Sequence, residues 1–513
     1  MLQARWLGTV PYGEAEVLQR AIHEHSTDDY LLLQEHAHVY TLGSSAHMEH
    51  VLCDPASVGA ELVHADRGGD VTYHGPGQLV GYPIVSLDEW RAGQRDVVAY
   101  VRRLEDVLIA VLRDFGITAE RSEGYTGVWV GDEKIAAIGV RVARGRTRHG
   151  FALNVDPDLT MFSHIVPCGI PDRGVTSMAR LLGRSVPMRE VVDATVRQFA
   201  QAFGHLDFER EDVAWTRPER VEGVPISLTR KRPEWMKVRA HFDDGFMELK
   251  QLARNLDLHT VCEEAGCPNI YECWSDRTAT FMILGDRCTR ACGFCLVDTR
   301  KPLEVDREEP RRVAEAVSTL GLAHAVITCV ARDDLADGGA SIFAETVDAI
   351  RTVSPSTGVE LLISDCKGDP GSLQTIFDAR PDVLNHNLET VARLQRMVRP
   401  SAGYARSLGV LARAKAAGLV TKSGIMLGLG ESVDEVHAAI RDLRSVGVEL
   451  LTIGQYLRPS GDHLPVVKWW TPDEFAALRE FAESLGFAHV ESGPLVRSSY
   501  HAREGASRTL PVS

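Results

Sequence analysis

The chain lacks the sequence features of a membrane or secreted protein. Its apolar runs, such as residues 30–33 and 79–85, are far shorter than the roughly 20 residues that a helix needs to span a bilayer. The N-terminus MLQARWLGTV lacks the basic segment followed by an apolar segment that marks a secretion signal. We therefore expect a cytoplasmic protein with no membrane partner, in a reducing compartment where cysteines do not form disulfides.

An excess of basic residues is missing as well. The chain has 56 Lys and Arg against 71 Asp and Glu, a formal net charge of -15 and an isoelectric point near 5.7. Because duplex binding requires a basic face, we expect no nucleic-acid partner. Two local basic patches remain, which we interpret either as a solvated loop and a linker or as docking surfaces for acidic proteins. They are Arg141, Arg144, Arg146 and Arg148, and Arg230, Lys231 and Arg232.

The length of the chain predicts more than one domain. A chain of 513 residues exceeds what one hydrophobic core usually organises, and 44% apolar and 25% charged residues are typical of globular proteins. Residues 211–235 are rich in proline and charge and show no apolar period, which is the composition of a linker. We predict a first domain at 1–210, a linker at 211–229 and a second domain at 230–513.

The second half alternates apolar segments of strand length with segments of helical period. This alternation predicts a parallel sheet curled into a partial (βα)6 barrel, similar to a TIM barrel. The predicted strands are TFMILG, AVITCV, GVELLIS, DVLNHN, LVTKSGIMLG and VELLTIGQYL, and the clearest helices are GASIFAETVDAIRTV and SVDEVHAAIRDLRSVG.

The first half has strand-like segments at 30–43, 69–85 and 127–140 and helical segments at 96–116 and 189–204. It therefore predicts an α+β domain with a mixed sheet. Taken together, the chain is predicted to be a two-domain α/β protein.

Six of the ten cysteines form two closely spaced triplets. The CxxxCxxC spacing of the second triplet can hold three corners of a cubane iron-sulfur cluster and leave one iron without a protein ligand. This triplet follows the strand TFMILG directly, at the sheet edge where barrel enzymes build their sites. Zinc is one alternative, although it usually takes paired CxxC or CxxH knuckles, and buried unligated thiols are another. The triplets are Cys262, Cys267 and Cys273, and Cys288, Cys292 and Cys295.

Two residues of the first half are candidates for nucleophilic chemistry. Cys168 follows a proline in a loop, and Lys134 follows a tight turn. A cysteine nucleophile needs a nearby cation or base, for which Lys134, His74 and His149 are candidates. Spacing alone favours a simpler interpretation, in which Lys134 is a solvated lysine, Cys168 an inert thiol and the segment at 67–83 a glycine-rich turn.

The second half resembles a known enzyme family. CxxxCxxC together with the barrel pattern is similar to the radical S-adenosylmethionine superfamily, in which the open iron binds the cofactor and one-electron reduction generates a 5'-deoxyadenosyl radical. The accompanying CxxxxCxxxxxC spacing and several motifs make residues 230–502 resemble lipoyl synthase more specifically. These motifs are RKRPEWMKV, TATFMILG, ARDDLADGG, HNLETV, TKSGIMLGLGE, LTIGQYLRPS and VRSSYHA.

The resemblance implies insertion of two sulfur atoms, at C6 and C8 of a protein-bound octanoyl chain. It implies S-adenosyl-L-methionine, two 4Fe-4S clusters and an electron donor such as ferredoxin or flavodoxin. Cys288, Cys292 and Cys295 would hold the radical cluster. The auxiliary cluster, which supplies the sulfur, would be held by Cys262, Cys267, Cys273 and Ser499. Departures from the family pattern occur at Cys329, Ser364 and Cys366, and we expect both cysteines to be small buried residues near strand ends.

The first half, at residues 4–205, resembles octanoyltransferase, which is similar in fold to the biotin and lipoate protein ligases. The motifs RGGDVTYHGPGQLVGYP, GVWVGDEKIAAIG, HGFALNV and FSHIVPCGI carry this resemblance. It implies that Cys168 takes octanoate from octanoyl-acyl carrier protein as a thioester and that Lys134 activates the thiol. The acceptor would be a lysine on the lipoyl domains of 2-oxoacid dehydrogenase complexes or on the glycine cleavage H protein.

By the same resemblance, three glycine-containing segments would bind the acyl chain and offer N–H groups to the thioester oxygen. They comprise Arg67, Gly68, Gly69, Asp70, Val71, Thr72, Tyr73 and His74, then Ala137, Ile138 and Gly139, and then Gly150, Phe151 and Ala152.

The two resemblances together predict a bifunctional enzyme of lipoate biosynthesis. An iron-sulfur electron-transfer or scaffold protein fused to an acyl-binding domain is the main alternative, and a zinc-binding acyl hydrolase is a second. Electron carriers normally saturate their clusters with protein ligands, whereas the second triplet has no obvious fourth cysteine.

Overall fold

The computed structural model describes residues 1–87, 96–170, 172–215, 232–236, 251, 259–260, 269, 273 and 278–509. The chain divides into two compact units, Met1–Trp215 and Thr216–Ser513. This division falls within the segment whose composition predicts a linker. Among the described residues, no helix combines the length and the apolar character needed to cross a bilayer.

The first unit contains a nine-stranded mixed sheet and a separate three-stranded sheet. Its strands are β1 Leu2–Thr9, β2 Asp29–Glu35, β3 Val39–Leu42, β4 Glu61–His64, β5 Val71–His74, β6 Gln78–Ile84, β7 Glu120–Ser122, β8 Tyr125–Val130, β9 Glu133–Ala143, β10 Arg146–Asn154, β11 Gly174–Val175 and β12 Phe208–Asp212. The large sheet runs in the order β12-β1-β2-β6-β10-β9-β8-β7 with β11 beside β9, and the small one in the order β4-β3-β5.

Four α-helices accompany these strands in the described residues: α1 Tyr12–His25, α2 Val97–Asp114, α3 Met178–Leu182 and α4 Met188–Phe203. Helix α2 begins where the Asp96 carboxylate accepts a hydrogen bond from the Ala99 N–H at 2.9 Å, which satisfies a donor that the first turn leaves free. Helix α4 ends at Gly204, whose φ of 76° suits glycine. Both helices bury apolar faces in the core of the large sheet. The predicted α+β domain is confirmed.

In its described residues, the second unit is built on one eight-stranded sheet in the order β13 to β20. Its strands are β13 His259–Thr260, β14 Thr278–Ile283, β15 His324–Cys329, β16 Gly358–Leu362, β17 Val383–Asn385, β18 Thr421–Leu427, β19 Leu450–Gln455 and β20 His489–Gly493. Its helices are α5 Glu309–Thr319, α6 Ala340–Val353, α7 Pro370–Asp378, α8 Gln395–Val398, α9 Tyr404–Ala416, α10 Val433–Ser445, α11 Pro472–Ser484 and α12 Ala502–Thr509.

Strands β14 to β20 pair in parallel from each to the next. The six predicted strands are confirmed, and β20 adds a seventh parallel strand while β13 lies antiparallel to β14. Because all seven run the same way, their carboxyl ends lie along one edge, where loops from different parts of the sequence meet.

The interior of this sheet contains a buried ion pair. The Lys422 ammonium donates to both Glu360 oxygens at 2.9 and 3.1 Å, and the Asn385 amide donates to Glu360 Oε1 at 2.9 Å. Burial alone would raise the pKa of Glu360, but Lys422 and His324 lower this pKa to about 2. The carboxylate is therefore charged, and its neighbours compensate that charge.

We predict that Lys422→Met lowers the free energy of unfolding of the second unit by about 3 kcal/mol, because Glu360 is left buried without its cation. At pH values above the ordinary carboxyl pKa, the pair of Lys422 and Glu360 stabilises the wild-type protein. This contribution is lost as the pH falls toward the Glu360 pKa of about 2. Hydrogen exchange of the backbone amides of residues 421–427 at increasing urea concentrations measures the loss of unfolding free energy. The control is Lys415→Met, which removes a half-exposed pair with Glu449 and costs below about 1 kcal/mol. Equal losses in both variants contradict the interpretation.

Candidate active sites

Cys168 lies in a tight turn of unusual backbone conformation. It occupies the 3-10 turn Pro167–Gly169 with a φ of 56° and a ψ of 19°, and it is half-buried. The left-handed region disfavours side chains other than glycine, and residues held there are common at functional sites. The next residue, Gly169, also has positive φ, at 70°. Two consecutive left-handed residues present the thiol on a sharply turned loop.

Lys134 lies at the start of β9 and is not a solvated lysine. Its side chain is buried, and its Nζ lies 4.8 Å from the centroid of the Trp129 ring, a cation-π distance. The chain that leaves the Cys168 turn forms β11, which pairs in parallel with the backbone of Lys134 at Val175. The Thr176 N–H continues this pairing with a 3.0 Å bond to the Lys134 carbonyl. The fold therefore brings the segment that follows the cysteine turn to the start of β9.

The three predicted substrate-binding segments meet in the structure. Gly150, Phe151 and Ala152 on β10 lie directly opposite Gly139, Ile138 and Ala137 on β9. The loop of Arg67, Gly68, Gly69 and Asp70 leads into β5, which is Val71, Thr72, Tyr73 and His74, and the Gly68 N–H donates to the Val140 carbonyl at 3.0 Å. The segments form one surface, called here the glycine cradle.

Close backbone approach explains the glycines of this cradle. A methyl group at Gly139 would lie 2.9 Å from the Gly68 carbonyl oxygen, and one at Gly150 would lie 2.3 Å from that of Gly81. The Phe151 ring occupies the space above Gly81, where a methyl group would lie 2.2 Å from the ring. Larger residues would push these strands and the loop apart.

Arg67 ties this loop to β3. The buried guanidinium donates to the carbonyls of Gly68 and Asp70 at 3.1 and 2.9 Å, and to the carbonyl and hydroxyl of Thr41 at 2.6 and 2.7 Å. Burial lowers the pKa of Arg67, while Tyr12 and Cys168 oppose this shift. The thiol therefore lies within electrostatic reach of the guanidinium.

The two histidines suggested as bases for the thiol are engaged elsewhere. His74 is buried with Nδ1 2.8 Å from Gln78 Oε1, and burial holds its pKa well below the ordinary value. His149 Nε2 lies 2.7 Å from Asp66 Oδ1. Burial lowers the pKa of His149 as well, although Asp66 acts in the opposite direction. A different histidine, His50, lies against the cysteine turn, and no motif in the sequence indicates it.

The second cysteine triplet lies at the carboxyl edge of the parallel sheet. Its loop follows β14, and the Cys288 N–H donates to the Asp298 carbonyl at 2.8 Å. The Gly293 N–H donates to the Val398 carbonyl at 2.9 Å, and His463 Nε2 lies 2.9 Å from the Cys295 carbonyl oxygen. Backbone bonds therefore fix the loop at several points.

The environment of these thiols fits a metal cluster. Burial raises the pKa of Cys292 to about 11 and also raises that of Cys295, so thiolates at these two positions would need a compensating cation. The Arg290 and Ala331 N–H groups point to Cys288 Sγ at 3.4 and 3.3 Å, which suits a negatively charged sulfur.

Arg290, inside the CxxxCxxC loop, joins three strand ends. Its guanidinium makes two 2.8 Å bonds to the Asp333 carboxylate, after β15, and one of 2.6 Å to Asp365, after β16. Burial alone would raise the pKa of Asp365, but Arg290 lowers it. The buried ion pairs of the Arg290 guanidinium therefore bind the cysteine loop to the loops that follow β15 and β16.

Polar groups after β17 face the same edge. The Asn387 amide donates to Ser498 Oγ at 2.6 Å, and its buried Oδ1 has no partner among the described residues. Arg399 donates to the Asn387 carbonyl at 2.8 Å. Burial raises the pKa of Glu389, which Arg399 counteracts. An orphaned buried acceptor indicates a place for a polar ligand, so these residues fit a small charged cofactor.

The first triplet is only partly described. Cys262 and Cys267 lie outside the described residues. The Cys273 N–H donates to the Asn269 carbonyl at 3.0 Å, and the Asn269 amide donates to the Leu495 carbonyl at 2.7 Å. Leu495 begins the segment that carries Ser499, so Cys273 and Ser499 belong to two segments that the structure connects.

Cys329 and Cys366, which depart from the family pattern, lie near the loop that carries the second cysteine triplet. Cys329 is the last residue of β15, and Cys366 lies after β16 with its sulfur 3.8 Å from Ser364 Oγ. Burial raises the pKa of Cys329, and it raises that of Cys366 to about 11.

Comparison with known proteins decides the family. Lipoyl synthases from Mycobacterium tuberculosis and Mycobacterium avium are each 58% identical over 272 residues, which is 53% of this chain and 88% and 89% of theirs. The chain belongs to the lipoyl synthase family. Residues 212–267 match the N-terminal domain of lipoyl synthase of the radical SAM family, and residues 282–443 match the radical SAM superfamily.

The first unit adds a second catalytic domain to this lipoyl synthase. Residues 12–200 match the lipoyl protein ligase A/B catalytic domain. A lipoate protein ligase from Thermoplasma acidophilum is 22% identical with a TM-score of 0.36 over 42% of this chain and 88% of that chain. A methylornithine synthase is 14% identical with a TM-score of 0.33 over 49% and 79%. The fold conclusion rests on the family models and the observed topology. The predicted fusion of two lipoate enzymes is confirmed.

We predict that Arg290→Ala in this lipoyl synthase lowers the iron content after anaerobic reconstitution to about half of the wild type. Removing one partner of a buried ion pair costs about 3 kcal/mol or more, and here the loss frees the cysteine loop from Asp333 and Asp365. Iron and sulfide analysis measures the effect. The control, Arg300→Ala, removes an exposed arginine that pairs with Asp298 and leaves iron unchanged. Full iron content in Arg290→Ala contradicts the role assigned to the ion pairs of Arg290 with Asp333 and Asp365.

Proposed function

We propose that this chain carries out two consecutive steps of lipoate assembly. The first unit transfers an octanoyl group from a thioester donor to a lysine of a lipoyl-accepting domain, and the second unit inserts sulfur at C6 and C8 of that chain. One chain carries two sites, and this observation supports the proposal. In the first unit, Cys168 has a left-handed backbone conformation and lies beside the glycine cradle. In the second unit, a loop with three cysteines lies at the carboxyl edge of a parallel sheet.

In the first unit, Cys168 is the proposed nucleophile. A ligase activates its acid with a nucleotide and needs no thiol, so a cysteine presented on a strained turn favours transfer through a thioester. Lys134, whose ammonium lies over Trp129, is proposed to activate the thiol by stabilising the Cys168 thiolate with its positive charge. Backbone N–H groups of the cradle are proposed to stabilise the thioester oxygen.

The predicted substrate residues remain part of this proposal. Strands β9 and β10 bring Ala137–Gly139 and Gly150–Ala152 side by side, and Arg67 holds the 67–70 loop above them through four backbone and hydroxyl contacts. The acyl chain is proposed to lie along this surface with its carbonyl at Cys168.

In the second unit, Cys288, Cys292 and Cys295 are proposed to hold the radical cluster. When bound, the cluster and S-adenosylmethionine supply the hydrogen abstraction that opens unactivated C–H bonds. Asn387 and Glu389 are proposed to bind the polar part of the cofactor, since Asn387 Oδ1 is buried without a partner in the described part of the chain. Arg399 holds the Asn387 carbonyl and fixes this segment.

A second cluster is proposed on Cys262, Cys267, Cys273 and Ser499, and its sulfides would be the inserted sulfur. The bond between the Asn269 amide and the Leu495 carbonyl supports this set, because it joins the segments of Cys273 and Ser499. A serine oxygen is a harder ligand for iron than a thiolate, which suits a cluster that is dismantled during turnover.

The proposed partners follow from the two reactions. The octanoyl donor is octanoyl-acyl carrier protein, and the acceptors are lipoyl domains of 2-oxoacid dehydrogenase complexes and the glycine cleavage H protein. A low-potential carrier such as ferredoxin or flavodoxin would supply electrons in the cytoplasm. A non-catalytic electron carrier is not favoured, because the family relationship is to catalytic lipoyl synthases.

We predict that Cys168→Ala abolishes the octanoyl-enzyme intermediate, because the variant lacks the proposed sulfur nucleophile. Intact-protein mass after incubation with octanoyl-acyl carrier protein measures the intermediate, and iron and sulfide contents should equal those of the wild type. The matched control is Cys53→Ala, which removes another half-buried thiol of the same unit and should acylate normally. Acylation of Cys168→Ala at the wild-type level would falsify the nucleophile assignment.

We predict that Cys292→Ala loses cleavage of S-adenosylmethionine, because two thiolates cannot hold the proposed three-cysteine cluster site. Chromatography of 5'-deoxyadenosine measures the loss. Octanoyl transfer by the same variant should be unchanged, and Cys168→Ala serves as the reciprocal control, since it should still cleave the cofactor. Undiminished 5'-deoxyadenosine formation by Cys292→Ala overturns the cluster assignment.

A further inference from the structure

A histidine-carboxylate pair lies against the cysteine turn of the first unit. His50 Nδ1 is 2.6 Å from Asp70 Oδ2. A methyl group on Gly169, the residue after Cys168, would lie 2.7 Å from Asp70 Oδ2 and 3.5 Å from His50 Cε1. The pair therefore contacts the turn that presents the proposed nucleophile.

Backbone pairing fixes the position of His50. The Val166 N–H donates to the His50 carbonyl at 2.8 Å, and the Leu52 N–H donates to the His164 carbonyl at 2.8 Å. Val51 and Ile165 form an antiparallel bridge between these bonds. The segment that carries His50 thus runs beside the segment that leads into Cys168.

Asp70 is fixed by bonds other than the one to His50. Its Oδ1 accepts the Val71 N–H at 2.6 Å and the His47 N–H at 3.3 Å. A carboxylate only accepts hydrogen bonds, so the facing Nδ1 of His50 carries a proton and Nε2 is the basic nitrogen. Among the described residues, Nε2 makes no hydrogen bond, and the His50 side chain is 24% exposed. The imidazole is oriented at one nitrogen and accessible at the other.

We propose that His50 is the base that deprotonates the acceptor lysine in the second half of octanoyl transfer, with Asp70 as its positioning residue. This inference rests on the proposed function. It gives the two half-reactions different groups, since the positive charge of Lys134 favours the Cys168 thiolate and His50 accepts the proton of the incoming amine. A lysine ammonium has no lone pair and cannot attack a thioester until it loses a proton.

The proposed step is balanced. His50 Nε2 takes one proton from the acceptor ammonium, and the neutral amine attacks the thioester carbonyl to form the C–N bond. The C–S bond breaks, and the Cys168 sulfur receives the second amine proton. His50 then releases its proton to solvent, so octanoyl-enzyme and ammonium give amide, free thiol and one proton.

The test separates the half-reactions. In His50→Gln, acyl-enzyme formation from octanoyl-acyl carrier protein should stay within about twofold of wild type, and transfer from isolated acyl-enzyme to an apo lipoyl domain should fall about 100-fold. Hydroxylamine, an amine already neutral at pH 7, should release the acyl group at nearly the wild-type rate. His47→Gln is the control, because its exposed ring lies beside His50 but does not contact Asp70 through a ring nitrogen.

Two further variants distinguish chemistry from structure. His50→Ala should regain transfer to the lipoyl domain when imidazole is added, and Asp70→Asn should lose transfer to a smaller degree than His50→Gln. Normal transfer by His50→Gln overturns the inference, as does an equal loss with hydroxylamine and the lipoyl domain. Absence of acyl-enzyme in the wild type instead overturns the proposed function itself.

Discussion

A buried arginine holds each site of this protein together. In the second unit Arg290 bridges the cysteine loop to Asp333 and Asp365, which follow two other strands. Without these bonds, the loop of three half-buried thiols would keep its backbone bonds and its contact with His463 but would lose its ion pairs to the loops after β15 and β16. The guanidinium is the appropriate group because its planar fork can bind two carboxylates and it stays charged when buried.

Arg67 has the corresponding role in the first unit, with different partners. It donates to carbonyls of the 67–70 loop and to Thr41 rather than to carboxylates. The loop is thereby held against β3, while Gly139 lets β9 approach the Gly68 carbonyl oxygen. One site is thus organised by ion pairs and the other by backbone contacts, which suits the proposed polar cofactor and the proposed acyl chain.

Much of this arrangement could be predicted from the sequence. Apolar runs such as TFMILG reveal buried parallel strands, and cysteine spacing reveals the triplet at the end of β14, because both signals are local. Strand β20 was missed because its sequence, HVESG, is polar and its strand identity depends on pairing with β19. The burial of Lys134 was missed for a similar reason, since Trp129 contacts it across a turn. His50 and Asp70 are 20 residues apart, and only the folded loop brings them together.

One polypeptide is proposed to acylate and then to thiolate the same carrier lysine. The most direct measurement is the mass of an apo lipoyl domain after incubation with the anaerobically reconstituted chain, octanoyl-acyl carrier protein, S-adenosylmethionine and a reductant. We predict that the domain first gains an octanoyl group and then two sulfur atoms. A domain that stays unmodified, or that gains octanoate but never sulfur while the proposed clusters are intact, contradicts this prediction.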